Sequence, residues 1–509
     1  MARNVASRYV IITIDGLIGL LVLPFNVHHL GQAAWGLWML TTSVSAYFTV
    51  IDLGYGGSIT KFVAQYRARR DAQSINEITS TLFVLFAALG AAAYGIFVLV
   101  AFHVDAVFNL SPGQTETARL LLLITGTQVA MGLPFGVFGG VVNGFQRYDI
   151  NNAVSIGTSL TVATVNVTML QLGYGLVPVV LATTLVRSGS NLIYRRNAYR
   201  VFPLLSVRPA HFRKSRLREV SGFSIYMSVI DWSNRLNFAS DIIVIGAFMT
   251  PAAVAIWAVP RRLAALSKSL TNQFNSVLLP VVVDSDARAR ADRLQTILIH
   301  GTRLSLFLVT PIATGLFVMA DPLIRVWVGP QFAASVPIAQ ILAIVTIFRV
   351  GNAPSSVVLK GAGRHRLLAL ASAGTAIVNL ALSLWWIRWY GLPGQAIATL
   401  VPVSAVTMFV LFPAACRRAG VDIGSAFRQA VWPVLWPLPV MIVVSLALRS
   451  ALPMTLVTVM LGAAAGAICY AAVFVAFAVA PAERASYLAK LRAATRWRQP
   501  LTPRPTESV

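Results

Sequence analysis

Seven bases and four acids fall inside stretches that are otherwise apolar: Arg187, Arg235, Arg261, Arg262, Lys268, Arg303 and Arg349 against Asp15, Asp52, Asp231 and Asp241. A charge within hydrocarbon is costly, so each should face a partner or a watery cavity rather than lipid. A guanidinium offers a planar, two-pronged set of donors that fits phosphate. Even if every acid takes an Arg, three cations remain, and that excess points to an anionic passenger such as phosphate or pyrophosphate. All seven bases are therefore candidate substrate-binding residues. Arg261 falls near the mid-depth of its helix, and Lys268 lies deeper toward the cytoplasmic end.

The acids carry the opposite question. Asp231 and Arg235 stand four residues apart on one helix and can neutralise each other. Asp241 can pair with a further Arg. Asp52, in DLGYGG, fits a capping or snorkelling role near a helix end. Asp15 is open between an Arg partner and a titrating site. Asp15, Asp231 and Asp241 are the candidates for coupling transport to a counter-ion, H+ or Na+.

Positioning these groups takes a bundle of helices in a membrane. The chain has 509 residues, 57% hydrophobic and 11% charged. Soluble domains carry roughly 25% charged residues, so a polar coat cannot cover a globule of this size. Apolar runs of about 20 residues recur throughout, the length a helix needs to span a bilayer. We expect an all-α polytopic membrane protein with about 14 transmembrane helices. They fall near 8–29, 36–58, 78–101, 118–142, 151–171, 174–194, 220–248, 252–282, 295–320, 335–359, 367–388, 391–415, 430–449 and 453–480. The thirteenth is interrupted by Pro433, Pro437 and Pro439. The Arg-led N-terminal run is too long for a signal peptide and reads as an uncleaved first span.

Orientation follows from the loops. Of 41 Lys and Arg, thirty lie in alternate connections and termini, four (Arg119, Arg325, Arg388 and Arg449) on the opposite side, and seven within spans. By the positive-inside rule, both termini are expected on the cytoplasmic side of the membrane. The tail at 481–499 is a basic segment suited to an anionic membrane surface, or simply a positive-inside anchor.

The two halves resemble each other at a near-constant offset. Tyr174-Gly175-Leu176 matches Tyr390-Gly391-Leu392, and Ala182-Thr183 matches Ala398-Thr399. VVNGFQR (Val141 to Arg147) compares with VVLKGAGR (Val357 to Arg364), read as one residue longer. Ala33 to Trp38 compares with Ala252 to Trp257. Six spans is an even number, so both copies insert the same way up, giving two parallel six-helix bundles plus two C-terminal helices. The expected organisation is an N-terminal lobe at 1–198, a basic cytoplasmic linker at 199–219 and a C-terminal lobe at 220–416. The two additional spans lie at 430–480 and a basic tail at 481–509.

Several functions are excluded at this level. There is no GxxxxGK[ST] phosphate loop, no HExxH and no paired-carboxylate arrangement, so neither ATP hydrolysis nor another enzyme activity is expected. The net charge of +24 belongs to membrane topology, not nucleic acid. Cys416 and Cys469 lie in or beside apolar runs and form no metal spacing. No cofactor is expected.

The segment LGQAAWGLWMLTTSVSAYFTVIDLGYGGSITKFVAQY (Leu30 to Tyr66) resembles the bacterial oligosaccharide flippases, the polysaccharide-transporter branch of the multidrug/oligosaccharidyl-lipid/polysaccharide exporter superfamily. The pattern is G-x-x-x-(Y/W)-G-x-W, then D-L-G-x-G, then a K-x-V-A run. GFQRYDINN (Gly144 to Asn152) is similar to the G-x-Q-R…N loop of that family, and Phe223-Ser224 is also similar. Trp35-Gly36 departs from the usual Tyr-Gly. The resemblance implies a transporter that moves an undecaprenyl-pyrophosphate-linked oligosaccharide from the cytoplasmic to the outer leaflet. A cationic cavity would hold the pyrophosphate, and a polymerase or glycosyltransferases could be in contact. No family-wide coupling residue maps onto this chain. The alternatives within the fold are a lipid II flippase and a multidrug/cation antiporter. The antiporter would need unpaired acids, whereas here bases outnumber acids. A polymerase or glycosyltransferase would need a large outer loop bearing catalytic groups, and the sequence has none.

Overall fold

A computed structural model describes residues 2–48, 55–219, 240–267, 291–451 and 453–478. Asp52, Asp231, Arg235, Lys268 and the tail beyond 478 lie outside the described residues. The fold is all-α, and no strand occurs among the described residues. Among the described residues ten helices are long and apolar enough to cross a membrane. Two of the ten each cover two expected spans. Ile14–Phe48 runs 35 residues, roughly 52 Å at helical rise, against a hydrocarbon core of about 30 Å. It is broken at Gly31, where φ is 77°. The His365–Ala419 helix is broken likewise at Gly391, with φ 56°. A positive φ is the conformation that a residue without Cβ adopts most cheaply. The expected seventh and eighth spans are described over 240–248 and 251–267.

The thirteenth span forms despite its prolines. Ile423–Ala451 is continuous enough to span, with a wide turn at Phe427–Val431. The Tyr470 hydroxyl of the next helix donates to the Val434 carbonyl at 3.1 Å. A buried hydroxyl thus satisfies an acceptor beside the break that Pro437 and Pro439 make.

The turn at 141–147 recurs at 358–364. Phe145 N bonds Val141 O, Gln146 N bonds Asn143 O and Arg147 N bonds Val142 O. In the second half Ala362 N bonds Val358 O, Gly363 N bonds Lys360 O and Arg364 N bonds Leu359 O, so every donor and acceptor has its counterpart in one constant register. Gln146 and Gly363 both have positive φ, 60° and 71°. The register therefore needs no inserted residue, which corrects the reading of the second copy as one residue longer: Val141 pairs with Val358, not with Val357.

Where the apolar cores lie defines the seam between residues 2–219 and the rest. One cluster joins Leu37, Phe97 and Leu121 to Val254, Trp257 and Ile387. A second joins Leu23, Val27 and Trp35 to Ala255, Ile324 and Phe332. Both lie toward the end that carries the breaks at Gly31 and Gly391. Gly36 lets the helices meet there, because a Cβ would strike the Pro251 carbonyl. Toward the end with the basic turns the clusters separate. Ile59, Ile78 and Val141 pack within the first half, and Leu294, Val358 and Cys416 within the second. Among the described residues the halves thus share apolar cores at one end and keep separate ones at the other.

The basic linker is docked rather than loose. Asn76 Nδ2 donates to Leu204 O at 3.0 Å, and its Oδ1 accepts from Ser206 N at 2.9 Å. The Arg213 amide donates to Thr81 Oγ1 at 3.0 Å. Arg216 donates to Ser74 Oγ at 2.6 Å, Tyr66 Oη at 2.8 Å and Glu77 at 3.0 Å, and pairs with Glu219 at 3.0 Å. Desolvation pushes the Glu219 carboxyl up, but the Tyr66 hydroxyl and the Arg216 guanidinium outweigh it and hold the group below its ordinary value. A depressed carboxyl stabilises above its unfolded pKa and loses that contribution as pH falls through the folded one. The clamp therefore holds at neutral pH and weakens in acid. Arg216→Ala removes charged hydrogen bonds worth about 1.5–3 kcal/mol. Amide exchange across 204–213 should speed up at least tenfold, with the spans unaffected; unchanged exchange would mean the clamp contributes nothing.

Candidate functional site

Two groups of charged residues lie on the seam. The first centres on Asp241, which is 5% exposed in the helical stretch described over 240–248. Its carboxylate interacts electrostatically with Arg261 on the 251–267 helix and with Arg349 on Ser335–Gly351. Tyr47, from the first half, acts on Arg261 and shares a side-chain hydrogen bond with Ser240. One acid therefore serves two guanidiniums, and a tyrosine from the opposite half completes the group.

A buried chain of amides and hydroxyls supports Asp241. Gln395 Nε2 donates to Asp241 Oδ1 and to Ser383 Oγ, both at 2.8 Å. Ser383 Oγ donates to Asn379 Oδ1 at 3.4 Å, and Asn379 Nδ2 to Thr399 Oγ1 at 3.1 Å. Gln395, Ser383 and Asn379 are fully buried. The break at Gly391 makes this network, since it lets 379–383 and 395–399 lie side by side. Buried polar groups of this kind hold one geometry because each lost partner is expensive.

The second group centres on Asp15, whose carboxylate acts on both Arg187 and Arg262. Asp15 and Arg187 belong to the first half and are exposed, while Arg262 reaches across from the second. Arg262 Nη2 donates to the Asp15 backbone carbonyl at 2.8 Å. Its guanidinium lies over Gly19, where any Cβ would collide with it. This glycine makes room for the crossing.

The structure thus brings together Asp241, Arg261 and Arg349, and separately Asp15, Arg187 and Arg262. Arg303 instead meets His300 Nδ1 at 2.8 Å, one turn away on its own helix. Tyr47, Gln395, Ser383, Asn379 and Thr399 were not anticipated. A signal existed for four of them: Asn379 with Ser383, and Gln395 with Thr399, are polar pairs four apart on otherwise apolar helices. Among the described residues no group of three His, Cys, Asp or Glu could hold a metal ion.

An apolar groove of about 720 Å³ adjoins the second group. Leu17, Leu20, Leu21 and Pro24 line it from the Asp15 helix, and Leu263 and Leu266 from the Arg262 helix. Pro311, Met319, Trp327 and Met460 close it from the second half.

The polysaccharide biosynthesis protein family matches residues 31–337, more than half of the chain. The chain belongs to that family. A protein of Bacillus subtilis (strain 168), the uncharacterized membrane protein EpsK, is 20% identical over 71% of this chain and 72% of its own length. The probable low-salt glycan biosynthesis flippase Agl15 of Haloferax volcanii is 22% identical over 40% of this chain. That match spans 43% of the Haloferax protein. Among solved structures, the lipid II flippase MurJ in an inward closed conformation covers 93% of this chain and 99% of its own, with a TM-score of 0.71 at 15% identity. This family member therefore has the all-helical fold of those multi-span transporters.

Proposed function

We propose that this family member is a secondary transporter that flips an undecaprenyl-pyrophosphate-linked oligosaccharide from the cytoplasmic to the outer leaflet for surface polysaccharide synthesis. The observation that carries this reading is the pair of acid-centred groups on the seam. Among the described residues each sets two guanidiniums against one carboxylate, an excess of basic groups where the halves meet. A diphosphate supplies the missing anionic oxygens and can take bidentate donation from more than one Arg. Arg261, Arg349, Arg187 and Arg262 are its proposed ligands, and Arg303, Arg235 and Lys268 stay further candidates from the sequence.

The groove beside Arg262 supports a lipid-linked substrate. It is apolar nearly throughout and suits a polyprenyl tail while the headgroup meets the guanidiniums. The end with the shared cores lies away from the basic turns, which fits a cavity that opens first toward the cytoplasm. Two lobes at 1–198 and 220–416 rock about this seam, with 199–219 as linker, 430–480 as additional spans and 481–509 as tail. Both termini are cytoplasmic and the membrane is the bacterial inner one. Asp15, Asp231 and Asp241 are the proposed sites for a coupling H+ or Na+. No chemistry is performed on the substrate. A lipid II flippase would use the same features, and the overall likeness to MurJ favours it as the second reading.

The test is a flipping assay in proteoliposomes with a fluorescent polyprenyl-diphosphate oligosaccharide, comparing wild type with Gly19→Ala. The added methyl displaces the flexible end of Arg262, so the fold is kept while one charged contact, about 1.5–3 kcal/mol, is moved. Wild type should flip the lipid, and the variant should need roughly tenfold more substrate for the same rate. If wild type flips nothing but extrudes cationic dyes, the reading is wrong.

A further inference from the structure

Pro24 sits inside the Ala2–Phe48 helix. Proline has no N–H for the carbonyl four residues back, that of Leu20, and its ring pushes that carbonyl outward. The Trp327 indole Nε1 donates to the Leu20 carbonyl at 2.9 Å. Trp327 ends the short Ala320–Trp327 helix of the second half, so this bond crosses the seam. The same segment makes further crossings. Phe332 is fully buried in the cluster with Leu23, Val27 and Trp35, and Gln32 Nε2 donates to the Gln331 carbonyl at 2.9 Å. The short helix is itself held in place: Asp321 pairs with Arg325 at 2.6 Å and with Arg449 of the Leu438–Ala451 helix at 3.4 Å.

These contacts lie at the end with the shared cores, away from the basic turns. The cost of an unmet carbonyl in an apolar setting exceeds the net gain of an ordinary hydrogen bond. Separation of the halves here would leave Leu20 without a partner, because Pro24 cannot supply one. We infer that the Trp327 indole and the Leu20 carbonyl released by Pro24 form the latch of a gate between the halves, a positioning contact that holds this end shut and breaks each time the cavity opens to that side. The proposal rests on the alternating-access reading above, but its test reads a distance and not transport.

The test uses the full-length protein in nanodiscs, with Cys416→Ser and Cys469→Ser and with spin labels at Ala33→Cys and Ala334→Cys. Both labelled positions are exposed, one on each side of the seam. Distance distributions give the ratio of open to closed populations. Trp327→Phe keeps the ring and deletes the donor, and should raise that ratio roughly threefold to fivefold. Pro24→Ala restores a helical N–H for Leu20, so adding Trp327→Phe to that variant should change the ratio by less than twofold. An unchanged distribution in Trp327→Phe, or a full step in the Pro24→Ala background, overturns the latch. Binding of a polyprenyl diphosphate to the doubly labelled protein with Pro24 and Trp327 intact keeps the two readings apart, because both residues also line the groove proposed for the lipid tail. Failure of the latch with binding intact rejects the gate alone, while the distance shift without binding supports the gate and rejects the flippase.

Discussion

Arg261→Ala should abolish surface-glycan export while the chain still inserts. Arg261 shares Asp241 with Arg349 and is touched electrostatically by Tyr47 of the opposite half. Removing it takes away one of the two guanidiniums that act on Asp241, and with it a cationic donor for an anion. The lost donor is worth about 1.5–3 kcal/mol to a charged acceptor, which is a tenfold to hundredfold loss of affinity. The fold should tolerate the change, because the acid keeps Gln395 at 2.8 Å and the remaining Arg349. Export complementation in a flippase-deficient strain checks this, with membrane levels measured alongside. Wild-type export would remove Arg261 from the site.

Asp241→Asn should have a larger and different effect. It leaves two guanidiniums facing each other without their acid, and breaking a buried pair from one side costs about 3–5 kcal/mol. Thermal stability in detergent should fall sharply. A second change, Arg349→Met, removes one of the repelling charges and should restore much of that stability, a non-additive result expected of groups in contact. Transport should not return with stability. If Asp241 is the one of the three proposed carboxylates that couples transport, residual flipping in the double variant should no longer respond to an imposed H+ or Na+ gradient. If gradient dependence persists, Asp241 is a structural partner only.

Much of this architecture is legible in the residues alone. Hydropathy places the long apolar helices found among the described residues, and the internal repeat appears again in the turns at 145–147 and 362–364, bond for bond. Gly31 and Gly391 are visible as residues, but their role as breaks in long helices depends on φ, which the sequence does not state. The intramembrane charges are also visible one by one. Their partition into two acid-centred groups is not, because it depends on which helices meet across the seam. Asp15 and Arg187 stand at opposite ends of the first half, and Arg262 comes from the second. Gln395 escapes notice for the same reason: an amide in an apolar helix gains meaning only when the break at Gly391 folds it against Ser383 and Asp241.

The central claim is that paired guanidiniums on the seam hold a diphosphate. Its most direct test is the affinity of the purified protein for a polyprenyl diphosphate against the same prenol carrying one phosphate. The account predicts at least a tenfold preference for the diphosphate, collapsing to near unity when Arg261 and Arg262 are both replaced by Gln. Equal affinity for the two lipids in the wild-type protein, or a preference that survives both replacements, would contradict it.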